Sequence, residues 1–338
     1  MTFRSRTVAP LFVLISAIDC GGGAQRGGAA LARWNNLPRA GLKAARLKTR
    51  VKMKQHLKAI ASALKRRHAV LFVGAGVSMS VGLPSWKTLI DHMLKDLDLD
   101  RSVMKGQDVT YQTIAECYRL DHGNIDALCE WMRKSWCVSP ERIRKSALHR
   151  LIVSLDFPII YTTNYDSNLE VAYEVHGKPH AKVSHARDMA SAPAGVTQII
   201  KYHGDFDDVE TLVLTETDYF NRLSFDSPLD VRFRSDVLGA TVLFIGYSMS
   251  DLNIRLLLHR IWSTWRRSGY DSDRPQSYVF MYRPNPVQKA VLSNWGVTVL
   301  DGEGPNPQEA LLAFIRALCS EVGYRETRPK SQKLTLGA

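Results

Sequence analysis

The chain has 338 residues, 45% hydrophobic and 23% charged, the balance of a soluble globular protein with one large domain or two small ones. Its formal charge of +12 suggests nucleic acid, but residues 1–68 hold 15 Lys/Arg against the single acid Asp19, while the other 270 residues hold 30 bases and 32 acids. The body is nearly neutral, so the basicity belongs to a leader, and direct binding of nucleic acid by the fold is not expected.

In chain order, Arg4 and Arg6 precede an apolar run, Ala9 to Ile18, that has the outline of a short signal peptide. Asp19 and Cys20 spoil its cleavage site, and the Gly- and Arg-rich stretch to about Arg50 lacks periodicity. Residues 1–52 therefore read as a disordered or artefactual leader, not an export signal, and the setting as cytoplasmic. The folded domain is expected over residues 53–323, opening with an amphipathic helix, Lys54 to Arg67, that places Leu57, Ile60, Ala61 and Leu64 on one face. No run of 18 apolar residues exists, so no membrane-spanning helix is expected.

Six short apolar runs read as buried parallel strands: Ala69–Val73, Phe157–Tyr161, Thr197–Tyr202, Thr241–Ile245, Ser277–Met281 and Val297–Leu300. Helical periodicity fills most intervals, as in Trp86–Leu97, Leu252–Trp265 and Pro307–Cys319. Such alternation predicts an α/β fold, a doubly wound, Rossmann-like parallel sheet covered on both faces. The first interval, 83 residues between Val73 and Phe157, far exceeds a simple crossover and carries helical patterns near Thr110–Leu120, Asn124–Trp136 and Glu141–Ser154. It reads as a helical subdomain inserted at about residues 86–155. Residues 324–338 read as a polar tail. The cysteines, Cys20, Cys117, Cys129, Cys137 and Cys319, form no C-x-x-C pair and no regular spacing. A structural zinc is unsupported, no metal is expected, and buried free thiols are the plain expectation.

Four polar motifs follow four of these strands: Gly74-Ala-Gly-Val-Ser78, Thr162-Thr-Asn-Tyr-Asp166, His203-Gly-Asp205 and Gly246-Tyr-Ser248. Open α/β sheets bind ligands beyond the carboxyl ends of their strands, where loops part and helix N-termini point inward. Gly74 and Gly76 let backbone approach a pyrophosphate, or simply make a tight turn. A dehydrogenase fingerprint would need glycine at Met79 and an acid closing a second strand, and both are missing, which argues against hydride transfer. Asn164 is placed to orient a ribose hydroxyl or a water, or to cap the helix that begins near Asp166. His203 supplies a base that titrates near neutrality, or a structural imidazole.

These residues carry a resemblance. Gly74–Trp86 resembles the sirtuin loop that opens GAG-x-S and closes in a Gly-hydrophobic-Pro turn, and Thr162–Asp166 is similar to the sirtuin T-Q-N-x-D segment. His203-Gly204 matches the HG of that family, and Gly246-Tyr-Ser248 stands where sirtuins carry G-[TS]-S. Order and spacing agree over residues 69–255. Trp86, Tyr165, Asp205 and the run Gly246–Asn253 look closer to the sirtuin-like NADases of bacterial antiphage defence. The two C-x-x-C pairs of the protein deacylases have no counterpart, since no cysteine lies between Cys137 and Cys319, and their peptide-docking segment is not recognisable.

The resemblance implies a glycohydrolase that cleaves NAD to nicotinamide and ADP-ribose. In that reading Gly74, Ala75, Gly76 and Ser78 hold the pyrophosphate, and Gly246 and Ser248 meet a phosphate or ribose. Asn164 positions ribose and water, His203 is the base, and Asp166 orients Asn164. Asp251 and Asn253 read as first-turn helix caps. A protein deacylase and a non-catalytic NAD or ADP-ribose sensor are the alternatives. By analogy alone, activation comes from self-assembly, with a homo-oligomer expected, or from a HerA-type ATPase, an Argonaute-like protein or a phage component.

Overall fold

The computed structural model describes residues 39–105 and 109–324, with side chains from Val51 onward. The apolar run at Ala9–Ile18, Cys20, and the tail beyond Tyr324 lie outside the described residues. Seven strands form one sheet: β1 Ala69–Val73, β2 Ile159–Thr162, β3 His180–Val183, β4 Thr197–Lys201, β5 Thr241–Ile245, β6 Ser277–Tyr282 and β7 Val297–Gly302. Their order is β3-β4-β2-β1-β5-β6-β7, and every pairing is parallel. The chain winds outward from β1 to one edge and then returns across it to β5. The fold is thus the doubly wound, Rossmann-like α/β sheet that the sequence predicts, and β1 sits at its switch point.

All six expected strands are present. The seventh, His180–Val183, escapes the hydrophobic pattern because it is a four-residue edge strand with one fully buried residue, Val183. β2 starts at Ile159, after Pro158, which cannot donate to a ladder.

Alternation along β1 divides the core. Leu71 and Val73 pack with helices Arg39–Lys65, Ala147–Leu155 and Pro307–Val322, through Ile60, Leu64, Ile152, Phe314 and Ile315. Val70 and Phe72 face helices Pro228–Gly239 and Leu252–Ser268, through Phe233, Val237, Ile254 and Leu257. Each fully buried Leu, Ile or Phe contributes about 1.5–3 kcal/mol of transfer free energy, so the strand loops stand on a rigid base. The first described helix, Arg39–Lys65, runs unbroken through Met53, so the boundary expected there is not a break. Between Pro38 and Met53 the chain is mostly Arg, Lys, Ala and Leu, all good helix formers.

The insertion is smaller than about residues 86–155. Helices Trp86–Asp96, Tyr111–His122 and Asp126–Ser135 share a separate core of Leu89, Met93, Ile114, Tyr118, Leu128 and Met132. Tyr165, Leu212 and Leu214, from the strand-end loops, close that core and dock the insertion over the carboxyl edge of the sheet. The remainder belongs to the sheet. The pattern at Glu141–Ser154 is two helices, Pro140–Lys145 and Ala147–Leu155, because the Ser146 hydroxyl accepts from His149 N–H and starts a new helix. Leu148, Leu151 and Ile152 then cover the sheet itself. Of the expected buried thiols, Cys129 and Cys319 are buried, whereas Cys117 and Cys137 are exposed.

Candidate active site

Strand register sets the site. Val73 pairs with Thr162 and with Ile245, and Thr162 with Lys201, so β1, β2, β4 and β5 end at one level. Their following loops leave the sheet together and wall a cleft of about 750 Å³ that the insertion roofs with Trp86, Tyr111, Gln112 and Trp136. Ala75, Gly76, Ser78, Asn164, Asp166, His203, Gly246 and Ser248 all line it. Gly74 does not.

The glycines have a different first duty from phosphate donation. Gly74 N–H donates to Ile245 O and Gly76 N–H to Gly246 O, each at 2.9 Å, so these two amides are already engaged. A Cβ on Gly76 would lie 2.9 Å from Gly246 Cα, and Gly246 itself has φ of +60°. The two loops cross backbone to backbone, and only glycine permits it.

The opposite wall is polar. Thr162 Oγ1 donates to Val73 O and accepts from Asn164 N–H, fixing the loop that carries Asn164. Asn164 does not cap a helix: the helix Asn168–Val175 begins behind Ser167, and Asp166 Oδ1 accepts from Asn168 N–H. Instead Asn164 Nδ2 donates to Ser78 Oγ at 3.0 Å. Ser78 in turn hydrogen-bonds Asp166, whose carboxyl is raised by burial against the opposing pull of Lys201 and Ser78. Asp166 therefore reaches Asn164 through the Ser78 hydroxyl, which is spent on this linkage. Beneath the loop, the fully buried Lys201 donates to the Asp166 carbonyl and pairs with Glu170 at 3.3 Å.

His203 lies two residues past the end of β4 and is 2% exposed. Its Nε2 is buried with no hydrogen-bond partner, and burial pulls the imidazole down to about 4, against Asp251, which raises it. A further polar atom of the same cleft, Trp136 Nε1, is buried without a partner. Such orphaned groups are costly unless something polar completes them. The sequence reading missed Tyr219, Tyr247 and Trp136, and it read Asp251 as a cap. Asp251 does cap the helix Leu252–Ser268 through Oδ1, but its Oδ2 lies 3.6 Å from His203 Nε2.

A second hollow of about 440 Å³ adjoins the first, sharing Gly76, Met79 and Gly246–Ser248 and continuing past Phe280, Tyr282 and Gln288 to Leu311. Together the two form an elongated groove across the switch point, with the glycine crossing at its waist. Among the described residues no group of three or more His, Cys, Asp or Glu is arranged to hold a metal ion, and no helix is long and apolar enough to cross a membrane.

Residues 158–300 match the model of the SIR2-like domain. The chain is 30% identical over 208 residues to the NAD(+) hydrolase ThsA of Enterococcus faecium, covering 61% of this chain and 42% of that protein. It is 29% identical over 216 residues to the NAD(+) hydrolase ThsA of Bacillus cereus, covering 62% and 42%. With Defense-associated sirtuin 2 of Bacillus subtilis it shares 26% over 255 residues, 72% of this chain and 24% of that one. The chain thus spans less than half the length of the relatives it matches.

Proposed function

We propose, for a chain whose residues 158–300 carry a SIR2-like domain, that the groove binds NAD as substrate and hydrolyses its nicotinamide–ribose bond, as an effector of antiphage defence. The observation that carries this reading is the convergence of Asn164 and His203, from the loops after two different strands, on one cleft that also holds Ser78, Asp166 and Ser248. The names of the relatives, NAD(+) hydrolases and a defence-associated sirtuin, support it.

In this reading the adenosine end occupies the smaller hollow. The pyrophosphate crosses the waist at Ala75, Gly76, Gly246 and Ser248, and the nicotinamide ribose lies between Asn164 and His203. Gly74 contributes by shaping the waist. Nicotinamide leaves as a neutral group, so the sugar passes through an oxocarbenium-like state that needs oriented dipoles more than a strong acid. The Asn164 amide, held by Ser78, supplies one such dipole. His203 is neutral above about pH 4 and accepts the proton of the attacking water or of a ribose hydroxyl. The products are nicotinamide, ADP-ribose and a proton.

The same reading includes a cytoplasmic setting and control by self-assembly or by a HerA-type ATPase, an Argonaute-like protein or a phage component. The test is NAD consumption by the full chain, alone and at concentrations that assemble it. Wild type is expected to release nicotinamide without any acylated peptide. His203→Ala and Asn164→Ala each lower the rate by about 10²–10⁴-fold. Equal turnover in wild type and both variants would overturn the assignment, and release that depends on acetyl-lysine would favour a deacylase.

A further inference from the structure

His203 is the last residue before a left-handed turn at Gly204, and its carbonyl is held by Val213 N–H at 3.0 Å, so the ring has a fixed base. Four elements surround it. Tyr202, the preceding residue, stacks at 5.6 Å between centroids, and Tyr219 stands edge-on at 5.6 Å from the helix Glu216–Asn221. Arg222 and Asp230, the charged groups below, pair with each other and with Tyr202. The fourth is Asp251. Its Oδ1 accepts from Ile254 N–H at 3.1 Å, while its Oδ2 accepts from Tyr219 OH at 3.3 Å and faces His203 Nε2 at 3.6 Å. Its side chain is 11% exposed.

We propose that Asp251 is a positioning residue for the proton acceptor: held by its helix cap and by Tyr219, its carboxylate fixes His203 as the Nε2–H tautomer and stabilises the imidazolium formed during the reaction. The inference rests on the functional reading above and deepens it. The Nε2–H directed at Oδ2 leaves the lone pair on Nδ1, so Nδ1 takes the proton from water or the ribose hydroxyl and later returns it to solvent. The Asp251 carboxylate balances a charge that would otherwise form unpaired inside the fold. Arg222 works in the opposite sense but is neutralised by Asp230, which leaves Asp251 in control. A separation of 3.6 Å exceeds a hydrogen bond, and such contacts commonly tighten when substrate closes the site. A residue that merely capped the helix would need only Oδ1, and nothing in that duty aims the second oxygen at an imidazole.

Asp251→Asn separates the two duties, because asparagine caps a helix as well as aspartate does and keeps the shape. The full chain is expected to keep its urea midpoint and its KM for NAD, with kcat lower by about a hundredfold. Asp251→Glu is expected to recover part of the loss. A second measurement does not need turnover: ¹⁵N spectra of the His203 ring at neutral pH should show Nε2–H in wild type and a mixture of tautomers in Asp251→Asn. If kcat stays within twofold, or if kcat falls while the ring nitrogens report the same tautomer, the proposal is wrong. If wild type releases no nicotinamide, the hydrolase reading fails, and the ¹⁵N comparison alone decides whether Asp251 governs His203.

Discussion

On the β1–β5 side of the groove the close approaches are backbone against backbone. Gly74 and Gly76 donate to Ile245 and Gly246, with the Tyr247 ring packed against Gly74 at the crossing. On the β2–β4 side the wall is built from buried polar groups: Asn164 on Ser78, Ser78 on Asp166, Lys201 on Glu170, and His203 opposite Asp251. The first wall has its shape as soon as the strands pair. The second holds groups whose desolvation opposes folding, and it leaves His203 Nε2 without a hydrogen bond. A rigid, satisfied side suits binding, and a costly, unsatisfied side suits chemistry.

The contrast is broken most severely at Lys201. Its side chain is 1% exposed, against 8% for Glu170, and together they underlie the Asn164 loop. Lys201→Met leaves the Glu170 carboxylate buried and unpaired, which is expected to cost about 3–5 kcal/mol in urea unfolding. Replacing Glu170 by Leu in the same chain should return most of that, while turnover stays low because the Asp166 carbonyl has lost its anchor. Were the single variant as stable as wild type, the polar wall would not be under the strain described.

Acid provides the second test. Burial lowers His203 to about 4, and it lowers His149, fully buried between helices, to about 4 as well. In the unfolded chain both bind protons below about 6.5, whereas the folded protein does so only near 4. The stability from keeping them neutral is therefore complete above pH 6.5 and is lost as pH falls toward 4. At pH 5 this amounts to about 2 kcal/mol per histidine. Thermal unfolding from pH 7 to pH 5 should show a matching fall in Tm, shallower in His149→Gln. A flat profile would contradict the burial of both rings.

On the first wall, Gly76→Ala places a Cβ 2.9 Å from Gly246 Cα, where neither backbone can give way. A loss of about 1–3 kcal/mol is expected, with weaker NAD binding, read by unfolding and by KM.

Much of this was legible in the chain itself, for reasons that differ by residue. The strands announced themselves because parallel strands buried on both faces read as continuous runs such as Ala69–Val73. Asn164 and His203 could be placed together because each follows such a run, and a parallel sheet brings strand ends to one edge. His180–Val183 was silent because a short edge strand buries little. Asp251 was half legible: Ser-Asp before an apolar helix signals a cap, but the direction of its second oxygen depends on how Leu252–Ser268 crosses the sheet. Tyr219 and Trp136 carried no local signal, since they reach the cleft only through docking of the insertion and packing of the loops; Tyr247 lay inside the Gly246–Ser248 motif, but its own side chain was not singled out. Gly74 and Gly76 were read as phosphate contacts, because the sequence cannot show a second loop pressed against them.

The smallest expected effect on stability sharpens the contrast most. Ser78 sits in the glycine loop by sequence, yet its hydroxyl belongs to the polar wall, accepting from Asn164 Nδ2 at 3.0 Å and bonding Asp166. Ser248 lies across the waist, with its hydroxyl against Ser250 at 2.7 Å on an exposed turn. Ser78→Ala removes about 0.5–1.5 kcal/mol of net hydrogen bonding and frees the Asn164 amide to rotate. Turnover should then fall through kcat with KM little changed, because the misplaced group acts on the reacting sugar. Ser248→Ala should instead raise KM and leave kcat near wild type. Steady-state kinetics on the two variants reads the division directly. If both serines acted through KM, Ser78 would be a phosphate contact after all, and the Asp166–Ser78–Asn164 linkage would have no part in holding the amide for catalysis.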